Sequence, residues 1–261
     1  MMAIALQTLI ITGAKTEAHA VDRARMESVL DASIPLAVLG ITDPRADKRW
    51  RVDGTPATIQ VEGQEVQISV QDQSGLIDIN AADITLLRQL LQSVGLADAE
   101  SETIADHIVD WRSNTGLESL HGATDADYAA AGLSYRPRHA AFQSVDELQL
   151  VLGITPKLFD SIKSSLTVYT GRPMFDTERA PSNVFKAFYF LQPEKFEETM
   201  AARGADDGSP LDGKLSAITQ LAGKTFSVLV DLKQGSLHLQ RQAVIRLTGD
   251  DSRPYFVMAW K

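Results

Sequence analysis

Asp110, Asn114, Asp125 and Asp127 place four oxygen-bearing side chains in one short stretch, and a hard cation such as calcium is held by several such oxygens close together. Their order does not follow the D-x-D-x-D-G pattern of a calcium loop, so the spacing alone makes only a weak site. The five histidines, His19, His107, His121, His139 and His238, show no H-x-x-x-H or comparable ligand spacing and read as surface or half-buried residues. G-x-x-x-x-G-K-[ST], G-x-S-x-G and G-x-G-x-x-G are all absent, which removes the common phosphate cradles and nucleophile elbows. Asp206-Asp207 and Asp250-Asp251 sit among Gly, Ser and Pro, as solvated loop acids do. No catalytic set emerges, and the chain reads as a protein that is not an enzyme.

Leu152-Gly153-Ile154-Thr155 joins two helical patterns in the shape of a helix-hairpin-helix module, whose G-I-G backbone N–H groups bind a DNA phosphate. Here Thr155 replaces the second glycine. From Asp83 to Lys163 six Lys and Arg face twelve Asp and Glu, the wrong sign for a polyphosphate. The hairpin is read as a packing motif with no nucleic-acid partner, and a DNA-binding or DNA-uptake protein is the alternative.

These residues must be positioned by a chain of 261 residues with 44% hydrophobic content, which suffices for one large or two smaller cores. Its net charge of −9 opposes attraction to nucleic acid or anionic lipid. With no cysteine, disulfides and thiolate metal sites are excluded, while periplasm and cytoplasm both stay open. Residues 1–12 are almost wholly apolar but fall short of the roughly 20 residues of a membrane span. Apolar positions continue at helical spacing through Val21, Met26, Val29, Leu30, Ile34 and Val38. One long helix over 1–41 is predicted, with Pro35 as a possible kink and Gly40 with Asp43-Pro44 as its end; an ordinary core helix is the alternative use of this stretch.

Alternation predicts strands over 58–61 and 65–70 around a Glu62-Gly63-Gln64 turn, and a further strand from Leu76 to Ile79. Asn80 is expected to cap a helix starting at Ala81 that buries Ile84, Leu87, Leu91 and Val94. Four more short helices follow: 98–112 with Trp111 in the core, 125–131 capped by Thr124, one opened by a Ser144/Glu147 capping box, and one opened by Thr155-Pro156. Helices are predicted over 184–191, 194–203 and 215–222 with a loop at 204–213, and antiparallel strands end the chain. The domains expected are therefore 1–41, an N-terminal helix; 42–80, the first part of a sheet; 81–166, an inserted helical domain; 167–223, a mixed connection; and 224–261, strands completing the sheet. The fold class is α+β.

Three segments give this order a family likeness: Gly75 to Ala82, GLIDINAA; Asp110-Trp111-Arg112; and Tyr135 to Gly153, YRPRHAAFQSVDELQLVLG. With Tyr128, Pro137, Phe142, Ser144, Glu147 and Leu148 in their places, the chain resembles the K-type minor pseudopilins of the bacterial type II secretion system along nearly its whole length. The resemblance implies a pilin-like long helix and antiparallel sheet, interrupted after GLIDIN by a large all-helical, helix-hairpin-helix-like or SAM-like domain. It implies a cap at the tip of the periplasmic pseudopilus, formed with the I-type and J-type minor pseudopilins, that helps start assembly for protein secretion. The protein would be a single-pass inner-membrane protein with its soluble part, from about Thr42, in the periplasm. Ile4, Leu6, Leu9 and Ile10 would enter the membrane or helix bundle, and Val21, Val29 and Leu36 would form the partner seam. The basic leader and part of the membrane stretch are expected to precede Met1. Family members often carry extra acids where Ser113 and Thr124 stand, and this departure weighs against calcium as a cofactor. Asp78 and Asn80 are assigned to holding the sheet-to-helix junction.

Overall fold

The structure is a computed structural model that describes residues 2–115, 119–203, 217–235 and 237–261; side chains are described from Ala20 onward, apart from those of Ala46, Ala202, Arg203 and Ala217. In chain order the elements are α1 (Met2–Ile41), β1 (Asp53–Val61), β2 (Gln64–Asp72), β3 (Ile77–Asp78), α2 (Ile84–Ser93), α3 (Asp98–Arg112), α4 (Asp125–Ala130), α5 (Pro156–Ile162), β4 (Leu166–Thr167), α6 (Ser182–Phe188), α7 (Pro193–Arg203), α8 (Ala217–Gln220), β5 (Thr225–Gln234), β6 (Leu237–Leu247) and β7 (Tyr255–Trp260). They divide into two units, Met1–Gln71 with Pro210–Lys261, and Asp72–Ser209. The second unit thus lies, in sequence, between the two segments of the first.

The first unit is a helix on a sheet. Met26, Val29, Leu30, Ile34, Ala37, Val38 and Ile41 recur three and four residues apart along α1 and are all buried, as an amphipathic face requires. They pack on Val66, Ile68 and Val70 of β2, on Phe226, Val228, Val230 and Leu232 of β5, and on Ala243, Ile245 and Leu247 of β6. Full burial of each large apolar side chain is worth about 1.5–3 kcal/mol, so this stripe anchors the helix to the sheet. The five strands run in the order β1-β2-β5-β6-β7. Glu62 and Gly63, at φ +50° and +77°, make the two-residue turn whose twist suits a tight hairpin. The helix runs through Pro35 and past Gly40 to Ile41. Gly40 is needed inside it, because a Cβ there would lie 2.3 Å from the Trp50 ring; the backbone N–H of Trp50 donates to the Gly40 carbonyl at 2.9 Å.

The second unit is mainly helical, with a core that runs from Leu76, Ile77 and Ile79 through α2, α3 and α5 to Phe175, Val184, Phe185 and Ala187. The segments 81–166 and 167–203 therefore share one core. Several local expectations are corrected. The strand at GLIDIN is only Ile77–Asp78, and it pairs in parallel with Leu166–Thr167 in a separate two-stranded sheet, so it is no part of the five-stranded sheet. Asn80 does not cap α2: the helix begins at Ile84, and Asp83 caps it by accepting the Thr85 N–H at 2.8 Å. Its buried face is Leu86, Leu87, Leu90 and Leu91, with Ile84 exposed. Ser144 makes no cap either, and the element after it is a 3-10 turn over Val145–Leu150. Thr124 and Thr155 do cap α4 and α5, through the N–H groups of Asp127 and Leu158. The predicted loop at 204–213 and the start of the 215–222 helix lie outside the described residues.

Candidate functional site

The residues that carried the family likeness converge in the helical unit. Asp78 is 1% exposed. One of its carboxylate oxygens accepts the Asn80 N–H at 2.8 Å; the other accepts the Thr170 N–H at 2.9 Å, the Thr170 hydroxyl at 3.0 Å and the Gly171 N–H at 2.7 Å. Four donors occupy nearly all the lone pairs of a carboxylate, which leaves no room for acid-base work. The side chain of Asn80 turns away from α2 and meets the backbone of Phe142, accepting its N–H at 2.7 Å and donating to its carbonyl at 3.0 Å. Arg112, from the last turn of α3, donates to the carbonyls of Ile79 at 2.5 Å and Ala82 at 2.7 Å. Burial lowers its pKa, opposed by the charges of Asp78 and Asp83; a guanidinium nonetheless keeps its proton.

Trp111 is buried beside this knot, stacked on Phe142 with ring centroids 6.1 Å apart and edge-on to Tyr135 at 6.5 Å. Its indole N–H donates to Glu147 at 3.1 Å, and the same carboxylate accepts from Arg138 at 3.1 Å and from the Gln143 N–H at 2.8 Å. That pull on Glu147 is the physical reason no capping box forms with Ser144. Tyr128, fully buried, accepts the Leu152 N–H at 3.0 Å. Burial pushes its phenol up to about 12, against the lowering effect of the Leu152 bond. An open depression beside Trp111 is lined by Tyr135, Arg136, Arg138, Glu147 and Leu150. Its charges are matched in pairs, Arg136 with Asp125 at 3.3 Å and Arg138 with Glu147 at 3.1 Å, so the arrangement positions backbone and rings without presenting a reactive group.

The four candidate cation ligands are not brought together. Asp110 is buried and accepts from the Ser119 N–H and, at 2.7 Å, its hydroxyl. Asp127 completes the capping box of α4 with Thr124. Asp125 is exposed and faces Arg136 and His139, and Asn114 is exposed in the loop after α3. Among the described residues no group of three or more His, Asp or Glu is set to hold a metal ion. A polar residue missed in the sequence is Asp106, buried one turn before Asp110, whose carboxylate accepts the His121 N–H at 2.9 Å. The i, i+4 spacing of the two acids on α3 was the available signal. In the hairpin, Gly153 at φ +90° lies where a Cβ would come 3.0 Å from Ile104, which makes it a close-packing position.

On α1, Val29 is 1% exposed and belongs to the unit's own core, which corrects its assignment to a partner seam: the face that α1 turns to the sheet has no surface left for another chain. Leu36 is half-buried against the same core, while Val21 is 68% exposed. Ile4, Leu6, Leu9 and Ile10 lie within α1, and their side chains are outside those described. Among the described residues no helix is long and apolar enough to cross a membrane.

The protein thus combines an antiparallel sheet with a mainly helical unit whose distinctive polar side chains are bound up in packing. Residues 66–171 match the family model for type II secretion system (T2SS), protein K. The chain is 23% identical over 189 residues to the type II secretion system protein K of Pseudomonas aeruginosa, an alignment covering 69% of this chain and 56% of that protein. The chain thus spans a little over half the length of the curated relative it matches. In fold it is similar to a chain of the crystal structure of the GspK-GspI-GspJ complex from the enterotoxigenic Escherichia coli type 2 secretion system, with a TM-score of 0.63 and 14% identity over 93% of this chain and 98% of that one.

Proposed function

We propose that the protein is a K-type minor pseudopilin, which caps the tip of the periplasmic pseudopilus with I-type and J-type minor pseudopilins and helps to start its assembly for protein secretion. The observation that carries this reading is the protein K match over residues 66–171, seated in a chain whose fold likeness extends over 93% of its length. The physics agrees with a structural role. Asp78, Arg112 and Glu147 are each committed to two or more hydrogen bonds that hold segments distant in sequence. A bulky helical unit set between the two segments of a sheet would obstruct the addition of a further subunit. The apolar start of α1, with Ile4, Leu6, Leu9 and Ile10, would supply the inner-membrane anchor and helix-bundle contact, and exposed Val21 would extend it toward the partners.

The test is reconstitution with purified I-type and J-type minor pseudopilins from the same secretion system. A fragment starting at Thr42 would lack the buried stripe from Met26 to Ile41, so the fragment should begin near Ala20. At micromolar concentration, size-exclusion chromatography with light scattering should show one heterotrimeric species. Separate elution of the three proteins would overturn the tip-complex reading.

A further inference from the structure

The start of the helical unit is fastened to the segment that returns after α5. Ile77 and Asp78 pair in parallel with Leu166 and Thr167, and the Ile79 N–H donates to the Thr167 carbonyl at 3.0 Å. The Thr167 hydroxyl donates to the Gln73 side-chain oxygen at 2.7 Å; both residues are buried, and they stand 94 apart in the chain. Further on, Thr170 and Gly171 donate their N–H groups to Asp78 at 2.9 and 2.7 Å.

The returning chain then meets the entry a second time. The Asp176 N–H donates to the Ser74 carbonyl at 2.7 Å, and neighbouring Phe175 is buried edge-on to Phe185 and Phe188, with ring centroids 6.0 and 5.3 Å away. Arg179 pairs with Asp176 and, at 3.2 Å, with Asp72. The Asp72 side chain is only 2% exposed and also accepts the Ser74 N–H at 2.9 Å and the Ser74 hydroxyl at 2.7 Å. Gly75 permits the close approach of the two backbones: a Cβ there would lie 2.2 Å from the Arg179 carbonyl oxygen.

All these partners belong to the unit Asp72–Ser209. Bringing distant parts of a chain together costs conformational entropy, and here groups inside the unit offset it. An insert held closed only by its flanking strands would lose that closure when those strands part. This one carries its own fastening and its own core, separate from the core that α1 shares with the five-stranded sheet, and such a unit can open and fold by itself. We propose that Asp72, Gly75, Asp78 and Arg179 form a clasp that closes the helical unit on itself, so that this unit opens as one cooperative step, separate from the helix-on-sheet unit. Opening of the helical unit then stops at the clasp instead of spreading along the chain into β2. The clasp acts in this way with or without the tip-complex reading.

The test is hydrogen exchange of the full chain, read by mass spectrometry through a urea series, which follows both units in one sample. Amides of α2, α3, α5 and α6 are expected to lose protection together at one urea concentration, and those of α1 from Met26 onward, β5 and β6 at another. Arg179→Gln removes the charge held against buried Asp72 and should speed exchange throughout the first group at least about tenfold, leaving the second group unchanged. Gly75→Ala, by forcing the returning backbone off the entry segment, should reproduce that selective loss. A single urea midpoint shared by both groups would overturn the proposal, as would an Arg179→Gln effect that reaches both groups equally or stays within residues 172–180. Should either variant fail to fold, the unaltered protein still decides, by whether its two groups share a midpoint.

Discussion

Asn80 and Phe142, 62 residues apart in the chain, exchange two hydrogen bonds: the Asn80 side chain accepts the Phe142 N–H at 2.7 Å and donates to the Phe142 carbonyl at 3.0 Å. This one amide joins GLIDIN to the segment before Glu147 and sets Phe142 for its stack on Trp111 at 6.1 Å. Asn80→Ala would remove both bonds and strand the two backbone groups of Phe142. A loss of about 2–4 kcal/mol is expected, read as a lower urea midpoint for the helical unit. Asn80→Asp should fall between, since a carboxylate still accepts the N–H but repels the carbonyl.

Arg112 serves two carbonyls with one planar group, Ile79 at 2.5 Å and Ala82 at 2.7 Å. Arg112→Lys keeps the charge but lacks the fork. The lysine variant should lose about 1–3 kcal/mol of stability. Hydrogen exchange should show the loss as faster exchange around Asp78 to Asp83; an unchanged stability and exchange pattern would contradict the assigned role.

Gly40 inverts a familiar rule. Alanine in place of a helical glycine usually stabilises by about 1 kcal/mol, but here a Cβ would lie 2.3 to 2.7 Å from atoms of the Trp50 ring. Gly40→Ala is therefore expected to lower the melting temperature. Adding Trp50→Ala should remove most of that penalty, so the double variant should be less destabilised than the sum of the two single changes.

Tyr128 gives the helical unit an alkaline limit. Burial holds the phenol protonated up to about 12 in the folded protein, against about 10 in an unfolded chain. Its contribution is fully present below pH 10 and is lost as pH rises through 12, because the unfolded state gives up the proton first. Unfolding free energies measured across this interval should fall less steeply for Tyr128→Phe. That variant should also cost about 0.5–1.5 kcal/mol at neutral pH through the lost Leu152 bond.

How far the fold was legible depended on whether a signal was local. The buried stripe of α1, the hairpin at Glu62-Gly63 and the alternation of Phe226, Val228, Val230 and Leu232 are periodicities, and the structure follows them. The caps of Thr124 and Thr155 followed as well, because each acts within its own turn. The capping roles read for Asn80 and Ser144 were local guesses that distant groups overrode. Asn80 finds Phe142, and Glu147 is claimed by Trp111, Arg138 and Gln143. For the same reason the oxygen-bearing residues Asp110, Asn114, Asp125 and Asp127, near one another on paper, are not brought together: the direction each side chain takes is set by the helix or loop that carries it.

The sequence by itself determined the α+β class, the apolar faces and their periods, the absence of thiol chemistry, and the excess of acid in the helical stretch. Those follow from residue type and spacing, which need no knowledge of what lies opposite. Only the tertiary structure decided that Val29 belongs to an internal core, that Ile77–Asp78 pairs with Leu166–Thr167 apart from the main sheet, and that β7 is a margin with apolar side chains on both faces. Each of these depends on which distant backbone donors and apolar surfaces remain unmatched once the local elements have formed, and that pairing is written in the closed chain rather than in any window of it.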